Sequence, residues 1–352
     1  MGNTDNTAGT IPSHISGPIE PVILDGSIRT RRVGFLLVPQ FSMIAYASAI
    51  EALRHANYVS DRNIYEFVTC SMDGESVTAS NGVAIVVDGA LADNQKLDMV
   101  FVCSGWNVQN YVTKEMLGNL RRLSTHGSHV GAICTGSYIL ASAGLLNGYR
   151  CTIHWENLSA LAEEFPSIEV VSELYEIDRT RYTCAGGTAA IDLMLHMIAT
   201  HAGHKVATAA ADQLIHHRIR EGNEGQRMAL RSRLGLSHPK LLAVISNMED
   251  HLEDPLNLND FAREVEISTR QLERLFNKYL GMAPTRYYLK LRMERSRFLL
   301  LQTSMSVLDV ALACGFVSAS HFSKCYREHY ERTPSEERQT TSPQDIERSI
   351  AG

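Results

Sequence analysis

Cys134 and His154 are the two residues of this chain whose types and placement best suit nucleophilic chemistry. A cysteine attacks as its thiolate, and a neighbouring imidazole can take the proton. Cys134 closes the apolar run that begins at Val130, and the pattern that follows it is helical. That reads as strand, sharp turn, helix, with the side chain raised at the carboxyl edge of a sheet. The start of the helix favours a thiolate there. His154 follows 20 residues later, in Cys151-Thr-Ile-His-Trp155. Three readings stay open. The pair is a live hydrolase or lyase site, or it lines a catalytically silent ligand pocket, or Cys134 is a small buried hydrophobe.

A second group of residues suits a different chemistry. The chain carries a net charge of −6, yet Ser268–Tyr330 holds ten Lys and Arg against four Asp and Glu. A basic segment on an acidic protein suits a polyanion. Two helical patterns lie within it, Thr269–Tyr279 and Ala319–His329. Burying Leu272, Leu275 and Phe276 leaves Thr269, Arg270, Glu273 and Arg274 outward. Burying Phe322 and Tyr326 leaves Ala319, Ser320, Ser323 and Lys324 outward. Arg pairs bidentately with guanine, and Ser or Thr reaches several base edges. Lys290, Arg292, Arg295 and Arg327 suit phosphate contacts, which position without specifying.

The elements that position these groups follow from periodicity. Residues 1–30 have no apolar period and read as a disordered tail. From Arg31 to Gly203, short apolar runs alternate with helical stretches. Strands are expected at Val33–Val38, Phe67–Cys70, Val83–Val87, Met99–Cys103 and His129–Cys134. Helices are expected at Ser42–Tyr58, Lys114–His126, Thr135–Ala143, Trp155–Glu164, Gly187–His201 and Lys205–Arg220. Such alternation implies a flavodoxin-like α/β domain, with a mostly parallel sheet covered on both faces. Residues 31–220 are assigned to it, and the polar stretch 221–237 is read as a linker.

From residue 238 to 338 strand signals vanish, and 339–352 reads as a flexible tail. This all-α segment repeats itself. Leu272–Phe276 and Phe322–Tyr326 lie 50 residues apart, as do Pro284 and Pro334. Each copy is a short helix, a tight turn and a second helix capped by Ser268 or Ser318, which is helix-turn-helix spacing. A long helix, Pro284–Leu301, joins them.

Seven Cys residues, an odd count lying mostly in apolar runs, suit reduced thiols in a cytoplasm. No CxxC pair occurs, so a structural zinc site is not expected, and no other metal and no cofactor is assigned. The longest uncharged stretch, Val130–Tyr149, is broken by Gly131, Gly136 and Gly144 and does not read as a membrane span.

Residues His238–Arg338 resemble the AraC/XylS family of bacterial regulators. The resemblance is carried by Phe261-Ala262, Ser268, Arg270, Leu272, Arg274, Phe276, Gly281, Pro284, Tyr287, Arg292, Ala311, Gly315-Phe316, Ser320, Phe322-Ser323, Tyr326 and Thr333-Pro334. Glu331 and Glu337 stand where that family usually shows Gly and an aromatic residue. The resemblance implies promoter DNA and RNA polymerase as partners, a homodimer, and activation of transcription.

Residues Arg31–Gly203 resemble the PfpI/ThiJ-like branch of the class I glutamine amidotransferase-like superfamily. The Cys134 turn, His154 and Ala185-Gly-Gly-Thr-Ala-Ala-Ile-Asp192 carry it. Enzymes of that branch place a Glu after the first strand, against the Cys. Here Gln40–Tyr46 contains no carboxylate, and Glu51 comes too late. The resemblance therefore implies a silent pocket, with Tyr46, Gly105, Trp106, Cys134, Thr135, His154, Trp155 and Glu156 as candidate effector-binding residues. The joined architecture resembles the GlxA-like regulators, which respond to amino acids, carnitine or glycine betaine. Ile133–Tyr138 and Cys151–Asn157 look most like the glycine betaine and dimethylglycine regulators. A methylated ammonium needs aromatic faces, for which Tyr46, Trp106, Tyr138 and Trp155 are the candidates. The competing reading is a Cys-dependent amidase, peptidase or glyoxalase-like enzyme with an accessory DNA-binding domain.

Overall fold

The computed structural model describes residue 22 and residues 28–93, 96–303 and 305–339. The tails expected at 1–30 and 339–352 otherwise lie outside the described residues. Val22 is an exception to a free tail, because its amide donates to Val59 O at 2.8 Å.

The first half of the chain builds one sheet. Its strands are β1 (Arg31–Leu37), β2 (Tyr65–Ser71), β5 (Gly89–Ala90), β6 (Met99–Cys103), β7 (His129–Ile133), β10 (Tyr175–Asp178) and β11 (Arg181–Cys184). They run in the order β10-β11-β7-β6-β1-β2-β5. Every pairing is parallel except β10 with β11. Helices α1 (Met43–Ser60), α5 (Ala189–Ala202) and α6 (His204–Gln213) cover one face. Helices α2 (Lys114–Thr125), α3 (Gly136–Ser142) and α4 (Leu158–Glu164) cover the other. Covering both faces explains why β1, β6 and β7 are near-continuous apolar runs.

Two expectations need correction, and one element is new. The apolar run Val83–Val87 is not a sheet strand. It supplies β4 (Ala84–Ile85), paired with β3 (Val77–Thr78) in a separate hairpin, and Val86 is exposed. The helix expected over Lys205–Arg220 stops at Gln213. Beyond it, His216 Nε2 and the Arg220 amide and guanidinium converge on the fully buried carboxylate of Asp192 at 2.6–2.9 Å. Those bonds hold the chain out of helical geometry, and Ile215 takes φ 54°. The β10–β11 hairpin was not foreseen; β8 (Arg150–Cys151) and β9 (Glu169–Val170) flank it.

The segment read as a linker has structure of its own. Gln226 Nε2 donates to the carbonyls of Ile153 and Glu173 at 2.9 and 2.8 Å. Helix α7 (Leu230–Leu234) then packs Leu230 and Leu234 on the core beyond it.

That core is helical. Helices α8 (Pro239–Asp250), α9 (Leu258–Glu264) and α10 (Thr269–Leu280) form the first unit around Leu241, Ile245, Phe261, Leu272 and Phe276. Helix α11 (Pro284–Gln302) crosses to the second unit, made of α12 (Val307–Ala313), α13 (Ala319–Tyr330) and α14 (Pro334–Gln339). Capping boxes open α9, α10 and α12, and Ser318 caps α13, so side chains satisfy free amides at each start.

Candidate effector cavity and DNA-reading helices

Cys134 sits where β7 turns into α3, with φ 61°. That left-handed value produces the sharp turn foreseen for it. Its amide donates to Cys184 O at 3.1 Å, and Thr135 Oγ1 donates to Gly105 O at 2.6 Å. These bonds tie the turn to β11 and to the loop after β6. The result is a cavity of about 520 Å³ outside the carboxyl ends of the strands. A doubly wound sheet places ligands there.

Six of the expected residues meet in this cavity: Gly105, Trp106, Cys134, Thr135, His154 and Glu156. Two do not line it. Tyr46 is buried in the α1 face of the core, its hydroxyl 2.7 Å from Thr69 Oγ1. Trp155 turns to the opposite side of its loop, where the Arg227 guanidinium lies 4.4 Å over its ring. Tyr138, also considered as an aromatic face, donates its hydroxyl to Glu164 at 2.7 Å and packs on Phe165. Trp106 is 63% exposed and remains available to a ligand.

The thiolate expected at Cys134 is overturned. Burial first, and then the neighbouring Cys184, push the thiol up to about 12, only partly opposed by a hydrogen bond from the Thr135 backbone. His154 is pushed below the ordinary imidazole value by burial, partly opposed by Glu156, whose carboxylate is 3.6 Å away. Both groups are therefore neutral at pH 7. No Cys134–His154 hydrogen bond occurs among the described residues. Glu51 reaches Arg54 at 2.6 Å on the outside of α1. All seven thiols are free. No metal-binding cluster, and no helix long and apolar enough to cross a membrane, occurs among the described residues.

In the helical half, the outward faces are as foreseen. Arg270, Glu273 and Arg274 are exposed on α10 with Thr269 half-buried at its start. Ser320, Lys324 and Arg327 are exposed on α13, with Ala319 and Ser323 half-buried. Lys290 is exposed and lies 3.6 Å from Glu294. Two phosphate-contact expectations fail. Arg292 donates to Cys314 O and Gly315 O at 2.7 and 2.8 Å and covers the Phe316 ring, so it builds the second turn. Arg295 faces Glu163 of α4 at 3.8 Å. Lys240 and Lys278, not singled out from the sequence, share a groove with Arg274 beside α10.

Two family models match this arrangement, the DJ-1/PfpI family over residues 31–200 and a helix-turn-helix domain over residues 261–340. The chain is 47% identical over 307 residues to the HTH-type transcriptional regulator GbdR of Pseudomonas aeruginosa, covering 87% of this chain and 84% of that one. It is a GlxA-like transcriptional regulator. The HTH-type transcriptional regulator CdhR of Pseudomonas aeruginosa is 44% identical over 86% of this chain and 90% of its own. GlxA of Rhizobium meliloti is 36% identical over 88% and 95%. A ThiJ/PfpI family protein from Pseudomonas syringae shares the fold at 19% identity, with a TM-score of 0.50 over 70% of this chain and 95% of that one. The regulator binds DNA, and these curated relatives are all named as transcriptional regulators.

Nine of the lining residues were missed by sequence reasoning, and three of them come from outside the α/β domain. Phe298, Leu301 and Gln302 reach it from the end of α11, in the DNA-binding half. Nothing local in the sequence marks them, because half-buried positions at the end of a long helix look like any packing surface.

Proposed function

We propose that this regulator responds to a small nitrogenous metabolite, glycine betaine, dimethylglycine or a related quaternary amine before a simple amino acid, held in the Cys134 cavity. The observation that carries the reading is the lining. It offers the aromatic faces of Trp106 and Phe298 and the carboxylate of Glu156, with no Lys or Arg among the described lining residues. A quaternary ammonium binds aromatic faces and a counter-charge, and it gains nothing from strong donors. The neutral state of His154 adds no repulsion. Asn107, Asn157 and Gln302 line the same space and can donate to a carboxylate.

In this reading residues 31–220 sense, 221–237 join and 238–338 bind promoter DNA. The protein acts in the cytoplasm as a homodimer and activates transcription with RNA polymerase. Thr269, Arg270, Glu273 and Arg274 of α10, and Ala319, Ser320, Ser323 and Lys324 of α13, face the base edges. Lys290 and Arg327 hold phosphates.

A thermal-shift panel tests the effector. Glycine betaine, dimethylglycine, choline, carnitine and arginine are each added to purified protein. A ligand at 100 times its dissociation constant stabilises the native state by about 2.7 kcal/mol. The expected result is a shift with a methylated amine that disappears in Trp106→Ala. A shift with arginine alone would replace the methylated amine by an amino acid. No shift with any compound would remove small amines as effectors.

A further inference from the structure

We propose that the effector is gripped between the two domains, with Phe298 of α11 completing the aromatic site that Trp106 begins. This rests on the reading of the Cys134 cavity as the effector site. Helix α11 divides its last turns between two tasks. Ser296, Leu299 and Leu300 are buried in the core of the second helix-turn-helix unit. Phe298, Leu301 and Gln302, spaced three and four apart, line the cavity, Phe298 while also packing against that core. One rigid helix thus touches both the ligand space and the support of α13.

Two further contacts fasten that end of α11 to the sensor. Gln109 Nε2 donates to Leu301 O at 2.8 Å. The last carbonyls of a helix have no partner within it, so the sensor domain caps α11 from outside. Ala160 of α4 is buried in the same apolar cluster as Leu299, Phe316 and Phe322. The cavity therefore exists in this form only while the second unit is docked. A ligand that fills it contacts both domains, binds the docked arrangement better than any other, and shifts the population toward it. By reciprocity, DNA that favours the docked arrangement tightens effector binding by the same factor.

The test is titration calorimetry of the full-length protein with glycine betaine and with choline. Wild type is compared with Trp106→Ala, Phe298→Ala, Gln302→Ala and Gln109→Leu. The expected result is about a tenfold loss of affinity in both Trp106→Ala and Phe298→Ala. Gln302→Ala and Gln109→Leu are expected to show smaller losses. These two side chains lie outside the apolar core, so they decide the matter if Phe298→Ala fails to fold. A loss in Trp106→Ala with wild-type affinity in the α11 and Gln109 variants would overturn the shared site and leave the cavity as a sensor-only pocket. Wild-type affinity in every variant, or no binding of either compound to wild type, would overturn both this proposal and the reading beneath it.

Discussion

The two helix-turn-helix units share a plan but differ in charge, in strain and in what they lean on. The first presents Arg270, Arg274 and Lys278 along α10, one turn apart. The second presents Ser320, Ser323, Lys324 and Arg327 on α13, with Lys324 facing Glu328 at 3.9 Å. The first closes its core with helices α7 to α11, with no residue of the α/β domain in it. The second includes Ala160 of the sensor in its core. The contrast suggests a division of labour. On the proposed function, the first unit would supply electrostatic grip, and the second would be the one the sensor moves.

Strain is distributed in mirror image. Each unit has two positions in left-handed backbone, one at the turn and one just after the reading helix. In the first unit they are Glu266 (φ 52°) and Gly281 (φ 68°); in the second they are Gly315 (φ 73°) and Glu331 (φ 59°). A non-glycine there costs about 1–2 kcal/mol. The two Glu positions thus weaken opposite ends of the two motifs. Glu331, which stands where the family usually has Gly, keeps the turn at that cost. Glu337, in place of an aromatic residue, is buried and faces Arg297 at 3.0 Å and Arg332 at 3.6 Å.

The largest effects come from the cores. Phe276→Ala and Phe322→Ala should each cost about 3–5 kcal/mol, since both rings are fully buried. Calorimetric unfolding should show a difference between them. Phe276→Ala lowers one transition and leaves the sensor melting as before, whereas Phe322→Ala also weakens effector binding through Ala160 and α11. Equal consequences for the sensor would remove the asymmetry between the units.

DNA binding gives the next effect. Arg274→Ala should cost about 1–3 kcal/mol on a selected site and relax base preference at one position. Ser323→Ala should cost less, and Lys290→Ala should weaken all sequences alike and reduce the salt slope by about one. Gel-shift titrations at several salt concentrations measure all three. A larger loss from Ser323→Ala than from Arg274→Ala would invert the assignment of grip.

The backbone positions give the smallest effects. Glu331→Gly should stabilise the second unit by about 0.5–1 kcal/mol, and Gly281→Ala should destabilise the first by about 1 kcal/mol. Gly315→Ala should be worse than Gly281→Ala. A Cβ at Gly281 meets open space, whereas at Gly315 it would collide with Pro255 Cγ and lie 2.8 Å from Glu253 O. Urea unfolding ranks them, and equal costs would mean that the Pro255 segment yields freely.

Much of this was legible in the sequence because local signals carried it. The serine caps, the 50-residue repeat and the Cys134 turn are short-range patterns, and each appears where expected. What escaped depends on distant partners. The β10–β11 hairpin carries Glu176 and Arg181, and polar side chains hid its strand pattern. Glu176 reaches Arg150, and Arg181 reaches the carbonyl of Leu145. Tyr46 and Trp155 were placed by proximity in sequence, but Thr69 and Arg227 turn them elsewhere. Phe298 belongs to the cavity only because two domains meet there.

Selection of random DNA by the purified regulator tests the central claim, that each chain reads DNA with two unequal units. The account predicts that each chain's half-site holds two blocks centred about 10 base pairs apart, one helical turn, with the pair repeated where a homodimer binds. Arg274→Ala should blur one block and leave the other sharp. A single block, or two blocks blurred equally by Arg274→Ala, would contradict it.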